Sequence, residues 1–381
     1  MPSGRAPTPL NDAGGVRTSK APLRVIKLGE HRVVNPQPGE PEFLSAASGT
    51  AWSATRLYSV GDDQATVAEY ELDPTAVLEA LRADQDTDIL TPGVAERIIP
   101  EVLPVDPKER ASKKADFEAL ALVRRSDIEA LSHPARAEIL RRFPHGLLMM
   151  SGSGGMSWEG FRRSTCVVYS LDDQGHIAGL PAKISLEALH DSLEHLDQVN
   201  GDLNIEGMAV YGESLVLAQR GNSVDANGSP AQNLLIHLDL GEVLESIYTD
   251  LSVGVLELRG TRSYGLGHLP VERDGVTHEV KIDFTDLDAV TGDPQQRLVF
   301  TAAGEGPDGS PVQNVIAGSA VGVIAADGDL QSVTPLADRS IKLEGVDASY
   351  NPTLGSIDLL LVSDADDPNV PAPLFAARLL P

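Results

Sequence analysis

Asn204-Ile205-Glu206-Gly207-Met208-Ala209-Val210, Ser214-Leu215-Val216-Leu217-Ala218-Gln219 and Asn233-Leu234-Leu235-Ile236-His237-Leu238-Asp239-Leu240 follow one another, separated by a short turn and a polar loop. Each run is apolar, bounded by turn residues, and too short for an ordinary helix, so the three read as successive strands. An acidic residue, Glu206, stands at the opening of the first.

The same grammar recurs on both sides. Upstream, Asp116-Phe117-Glu118-Ala119-Leu120-Ala121-Leu122 leads through Gly146-Leu147-Leu148-Met149-Met150 to Cys166-Val167-Val168-Tyr169-Ser170-Leu171. Downstream, Thr285-Asp286-Leu287-Asp288-Ala289-Val290 leads through Arg297–Thr301 to Gly318–Ile324, and Leu343-Glu344-Gly345-Val346-Asp347 leads through Ile357–Val362 to Leu374–Leu379. The earliest copy starts at Ser48-Gly49-Thr50-Ala51-Trp52, with Ser-Gly where the others carry an acid, and continues through Arg56–Val60 and Thr66–Leu72.

There are five modules of at least three strands, and the intervals between them leave room for a fourth, such as Glu96–Leu103. Four-stranded units repeated radially are the blades of a β-propeller, the fold expected here. The last module lacks room for its fourth strand, whereas Leu23-Arg24-Val25-Ile26-Lys27-Leu28-Gly29 precedes the first. An N-terminal strand completing the last blade would close the ring and hide two sheet edges. A sixth blade drawn from Val253–Ile282 is the alternative count, and a β-sandwich or a pair of smaller β domains the alternative architecture. Residues 1–22, rich in Gly, Pro, Ser and Thr, read as a disordered tail ahead of a single propeller domain spanning 23–381.

Three helical stretches interrupt the strands. Asp73-Pro74 reads as an N-cap followed by proline in the first turn, leading into Val77–Leu81. Ser126–Phe143 has helical spacing with Pro134 as a break, and Ser185–Val199 carries Leu186, Leu189, Leu193 and Leu196.

The 381 residues include 35 Gly and 26 Pro, in keeping with many turns. A formal net charge of −26 disfavours binding to nucleic acid or an anionic membrane, because the field of the whole protein repels polyanions. The single cysteine, Cys166, lies in an apolar run and reads as a small core residue. The N-terminal residues lack the apolar core of a signal peptide, and no run reaches the length of a membrane span, so the expected compartment is the cytoplasm.

In an antiparallel blade the start of the innermost strand and the end of the second lie at the same end of the channel. Glu118, Glu206, Asp286 and Glu344 therefore converge with the loop residues Asp62, Asp63, Ser151, Ser153, Arg220, Asn222, Glu305, Asp364 and Asp366. Carboxylates crowded at one mouth repel one another unless a cation neutralises them. A hard, oxygen-ligated ion, calcium or magnesium, suits Glu118, Glu206, Asp286, Glu305 and Glu344, and Arg220 or Arg163 could serve the same purpose. Alternatively each strand-start acid accepts backbone N–H groups from the next blade. Asp364–Asn369 opens like a calcium loop but lacks its turn glycine and closing glutamate, and Asp225-Ala226-Asn227-Gly228 reads equally as a hairpin turn. No G-x-S-x-G, Walker A or H-E-x-x-H pattern is present, and Gly152-Ser153-Gly154-Gly155, lacking the third glycine of a dinucleotide fingerprint, reads as a flexible loop.

Asp116-Phe117-Glu118-Ala119-Leu120, Asn204-Ile205-Glu206-Gly207-Met208, Leu343-Glu344-Gly345-Val346, Ser151-Gly152-Ser153-Gly154, Arg220-Gly221-Asn222 and Phe300–Glu305 together resemble a group of bacterial propellers related to the phytase-like, or esterase-like, propeller family. The resemblance runs from about residue 24 to the end. It implies Glu118, Glu206, Asp286, Glu344, Arg220 and Glu305 at the channel mouth, and hydrolysis of ester or phosphoester bonds with calcium. The Ser48-Gly49 start and the want of a lysine- and arginine-lined pocket depart from a phytase acting on a highly phosphorylated substrate.

Two functions are therefore expected in competition. One is a metal-assisted hydrolase in which Glu206 or Glu344 is the base and Arg220 stabilises developing charge on a small-molecule substrate. The other is a non-catalytic scaffold that binds a protein or a small ligand.

Overall fold

The computed structural model describes residues 17–18, 21–36, 42–61, 65–98, 114–157, 159–199, 203–223, 231–306, 310–313, 315–365 and 367–380. Two strands, β1 (Arg17–Thr18) and β2 (Ile26–Glu30), come before the first blade. Blade one is β3 (Ala47–Ser53), β4 (Arg56–Gly61), β5 (Thr66–Glu71) and β6 (Val94–Arg97). Blade two is β7 (Phe117–Arg124), β8 (Gly146–Gly152), β9 (Thr165–Leu171) and β10 (Ile177–Ser185). Blade three is β11 (Ile205–Tyr211), β12 (Ser214–Gln219), β13 (Asn233–Asp239) and β14 (Gly260–Tyr264). Blade four adds a flanking strand, β15 (His268–Arg273), to β16 (Val276–Ala289), β17 (Leu298–Glu305), β18 (Ile316–Ile324) and β19 (Leu330–Pro335). Blade five is β20 (Lys342–Asn351), β21 (Ser356–Asp364) and β22 (Pro373–Leu379), completed by β2.

The innermost strands β3, β7, β11, β16 and β20 touch in that order and close back on β3, making a five-bladed propeller. As expected, its last blade is finished by an N-terminal strand: β2 pairs antiparallel with β22, Ile26 opposite Ala376 and Glu30 opposite Pro373. The residues proposed for a sixth blade are divided between β14, the outer strand of blade three, and a hairpin in which β15 pairs with the first half of β16. Arg17 and Thr18, inside the stretch read as a disordered tail, pair parallel with Ser332 and Val333.

One apolar layer lies in each seam between blades. Between blades one and two, Tyr58, Val60 and Val67 pack on Leu120, Leu148 and Met150. Between blades five and one, Leu28, Leu360 and Leu374 pack on Leu57 and Tyr70. The thickest layer, between blades two and three, also takes in the helices Arg125–Ala130, Arg136–Arg142, Glu187–Glu194 and Leu240–Asp250 through Ile128, Ile139, Leu189 and Leu244. The stretch 126–143 thus divides into two helices around Pro134, and Cys166 is a buried core residue. Asp73 caps the helix Pro74–Ala83, its side chain accepting from the Thr75 amide.

A β-bulge, near the start of four innermost strands and in the second half of the longer β16, sets the register. Ser48, Glu118, Glu206, Thr285 and Glu344 are the extra residues, each flanked by neighbours that pair in step with the second strand of the blade. A bulge re-aims a side chain and increases local twist. The residue after the bulge is Gly49, Ala119, Gly207, Asp286 or Gly345, and two residues further on stand Ala51, Ala121, Ala209, Asp288 and Asp347. These positions face the inner backbone of the next blade. A Cβ on Gly207 would lie 2.7 Å from the Leu287 amide nitrogen, and one on Gly345 would lie 3.1 Å from that of Thr50. Where the residue is aspartate, the carboxylate itself crosses the gap. Asp286 accepts from the Val346 amide (2.8 Å), Asp288 from the Ala348 amide (2.8 Å) and Asp347 from the Trp52 amide (2.7 Å).

Candidate functional site

Ala46, Ser48, Lys114, Glu118, Glu206, Arg220, Lys342, Glu344 and Asp364 line a polar cavity of about 220 Å³ at one end of the channel. Three expected carboxylates, Glu118, Glu206 and Glu344, reach it because each is a bulge residue. Asp286 does not: the bulge residue of its strand is Thr285, so Asp286 lies one step further along, turned to the Val346 amide as a clasp between blades. Adjacent register positions thus send a strand-start acid either to the cavity or to the backbone of the next blade.

Arg220 follows the end of β12 and is 7% exposed. Its amide donates to the Asn204 carbonyl (2.8 Å), continuing the β11–β12 pairing by one residue. Nη1 lies 3.3 Å from Glu206 Oε1 and Nη2 lies 3.2 Å from Oε2 of the more exposed Glu305, while the buried Nε has no hydrogen-bond partner among the described residues. Asn204 Nδ2 donates to Glu206 Oε1 at 2.6 Å. On the opposite side, Lys342 Nζ lies 3.1 Å from Glu344 and 3.8 Å from Asp364. Next to Glu118, Asp116 is held by Arg163 (2.7 Å), Lys114 (3.3 Å) and the Ser153 hydroxyl (2.6 Å).

Burial raises the Glu206 carboxyl above its ordinary range; the Arg220 guanidinium pulls it down and Asp116 pushes it further up. Glu344 is raised for the same reason, with Lys342 opposing and Glu206 reinforcing. Burial alone would weaken the hold of Arg220 on its proton, but Glu206, Glu344 and Glu305 outweigh it and raise its pKa. Two buried carboxyls that disfavour each other's charge across one guanidinium can exchange a proton while the pair remains partly ionised.

The other expected site residues are placed elsewhere. Ser153 binds Asp116, behind the cavity wall. The Ser151 hydroxyl donates to the Gly152 carbonyl (2.9 Å) and borders a small apolar cavity beside Cys166 and His190. Asn222 is exposed and does not line the mouth cavity. Asp62, Asp63 and Asp366 lie outside the described residues, as do Asp225–Gly228 and most of Glu96–Leu103. The Gly152–Gly155 stretch, read as flexible, is fastened: the Ser153 amide donates to Asp116 O (3.0 Å), Gly154 to Arg163 O (3.0 Å), and Ser153 O accepts from the Ile205 amide (2.7 Å).

Lys114 and Lys342 had no place in the sequence reading, which saw no cationic lining. A signal existed in Lys114-Ala115-Asp116, Lys281-Ile282-Asp283 and Lys342-Leu343-Glu344. Residues two apart on an extended chain share a face, and each lysine pairs with its acid, Lys281 to Asp283 at 2.7 Å. Oxygen donors for a cation are present in Glu118, Glu206, Glu344 and Asp364. Among the described residues, however, no three His, Cys, Asp or Glu side chains are grouped to hold a metal ion. No helix among those residues is long and apolar enough to cross a membrane.

Several solved structures are similar to the chain. The major allergen Mala s 1 of Malassezia sympodialis is 9% identical, with 88% of this chain and 94% of that one covered at a TM-score of 0.43. A calcium structure of the Trichoderma reesei carbohydrate-active enzyme family AA12 is 10% identical (96% and 98% covered, TM-score 0.44). The glutaminyl cyclase of Myxococcus xanthus is 11% identical (94% and 100% covered, TM-score 0.39). No curated protein is significantly similar in sequence. A family model described as a family of unknown function, DUF6929, matches residues 43–379, from just before β3 to the end of β22, and the chain belongs to that family.

Proposed function

We propose that the mouth cavity binds a small polar molecule and hydrolyses an ester or phosphoester bond in it, with Glu206 and Glu344 as an acid–base pair. One observation carries this reading: two buried carboxyls, both raised by burial, Glu344 further by Glu206 and Glu206 further by Asp116, flank the buried Arg220 at an open polar cavity. The ionised member would take a proton from attacking water and the protonated member would give one to the leaving oxygen. Arg220 would stabilise the negative charge that develops between them. The likeness of the strand starts to phytase-like, esterase-like propellers supports ester or phosphoester as the bond class. Calcium would compete with Arg220 and Lys342 for the same carboxylates, so the acid–base scheme is written without an ion.

A panel of aryl esters, lactones and aryl phosphoesters tests the reading. Turnover should fall about 10²- to 10⁴-fold in Glu206→Gln and in Glu344→Gln, with folding intact by circular dichroism. It should persist in EDTA; dependence on added Ca²⁺ would restore the ion to the mechanism. Inactivity across the panel would overturn hydrolysis and leave the non-catalytic binding scaffold.

A further inference from the structure

The cations of the mouth are already occupied. Arg220 divides its Nη groups between Glu206 and Glu305 at 3.3 and 3.2 Å, and Lys342 stands between Glu344 and Asp364 at 3.1 and 3.8 Å. Charge-assisted N–H···O bonds are usually about 2.7–2.9 Å, so these four contacts are long. Among the described residues, the buried Nε of Arg220 has no hydrogen-bond partner. A guanidinium with one donor unused and two loosely engaged, facing a cavity, is poised to exchange its partners.

An entering oxyanion would meet cations that are already paired with Glu206 and Glu344. Left ionised, those carboxylates would repel it. If one takes up a proton, a negative charge leaves the cavity as another arrives, and Arg220 and Lys342 turn to the newcomer. We propose that the cavity is a receptor for the oxyanion group of a small molecule, seated on Arg220 and Lys342, and that its binding is coupled to uptake of one proton by the Glu206–Glu344 pair. The proposal rests on the reading of the mouth as a ligand site and adds the ligand's charge class and a proton linkage.

The surroundings of the pair favour this exchange. Behind Glu206, at the start of blade two, Asp116 raises the cost of keeping it ionised, while Arg220 from β12 and Lys342 from β20 lower it. Glu344 faces the same Lys342 and Arg220 and the repelling Glu206; Asp286 of β16 lies within its field. Blade four presents Glu305 and Asp283 to Arg220, and Glu118, Asp364 and Lys114 add charge to the cavity wall. The four lining carboxylates, Glu118, Glu206, Glu344 and Asp364, outnumber the three lining cations, Lys114, Arg220 and Lys342, so a proton rather than a further cation can balance an incoming anion. Among the described residues, blade one contributes Ala46 and Ser48 to the lining.

Isothermal titration of the full chain with sodium sulfate and with sodium acetate tests the proposal. Neither probe changes its own protonation near pH 7, and the two represent phosphoester-like and carboxylate ligands. Run in buffers of different ionisation enthalpy, at least one probe should bind with uptake of close to one proton, and its affinity should rise by up to about tenfold for each unit of pH lost. Arg220→Gln should weaken that binding at least tenfold. In Glu206→Gln, or in Glu344→Gln should the first not fold, the proton uptake should disappear while the anion still binds. Anion binding without proton uptake, or failure of both probes to bind the wild-type protein, would overturn the proposal. Proton-coupled binding without turnover on any substrate would uphold it while removing the hydrolase.

Discussion

His31 gives the sharpest test of how the ring is held shut. It follows β2 and is fully buried, with Nδ1 2.9 Å from the Ala372 carbonyl of blade five and Nε2 3.0 Å from the Ser59 hydroxyl of blade one. Ala372 O can only accept, so Nδ1 carries the proton and Nε2 accepts from Ser59, which is the neutral imidazole. Burial lowers its pKa to about 4. Above pH about 6.5 the imidazole is neutral in both the folded and unfolded chain and costs nothing. As the pH falls from there, the unfolded chain binds a proton that the folded one refuses. Stability is therefore lost progressively down to about pH 4, where the loss levels off at about 3 kcal/mol. His190, also lowered to about 4 by burial, acts in the same direction, whereas buried carboxyls such as Asp347, raised to about 6, act oppositely. Comparison with His31→Gln cancels those shared contributions. Urea denaturation at pH 7 and pH 4 should show the wild type losing about 3 kcal/mol more than the variant across that interval. Parallel loss in the two proteins would refute the neutral, buried imidazole.

Gly207→Val would drive a side chain into the Leu287 and Asp286 backbone, and should cost about 1–3 kcal/mol in urea denaturation, whereas Gly254→Val, with nothing within 4 Å, lacks that clash with the next blade. Leu28→Ala, on the strand that closes blade five, should cost about 2–5 kcal/mol, read as a lower urea midpoint with the slope unchanged. Asp286 is held far above the carboxylate range by burial, so the folded state keeps a proton there that the unfolded chain releases. The resulting stability is present in acid and is lost as pH rises through the folded-state value. Asp286→Asn should therefore lose less stability than wild type as the pH is raised from about 4, measured as the melting temperature across pH.

Much of the fold was legible because strand periodicity, turn residues and a repeated opening survive divergence. The five modules and the closing N-terminal strand follow from the runs at Ser48, Asp116, Asn204, Thr285 and Leu343 and from the want of a fourth strand after Leu379. The position of the bulge was harder to see. A single inserted residue moves a side chain to a different face, so Thr285-Asp286 and Leu343-Glu344 look alike as text while their acids perform different tasks. Glu206, Glu344, Arg220 and Asp364 were found because they are polar at the ends of apolar runs. Lys114 and Lys342 escaped notice because lysine ahead of a strand is the commonest kind of solvated residue, and only a partner on the same face distinguishes these. The glycine and alanine positions after each bulge were visible, but their reason lies in the next blade, whose distance no local pattern records.

β2 leaves the ribosome before any of its partner strand has been made, and β22 emerges almost the whole chain later. During synthesis the first segment must therefore wait without its partner strand, β22, while the modules between form seams with their neighbours. Lys342 and Glu344 come from the same late module, so the mouth cavity exists only once the circle has been completed. A stalled or proteolysed nascent chain could display four well-packed wedges and still lack that cavity. Assembly order thus makes the cavity a signature of finished molecules alone.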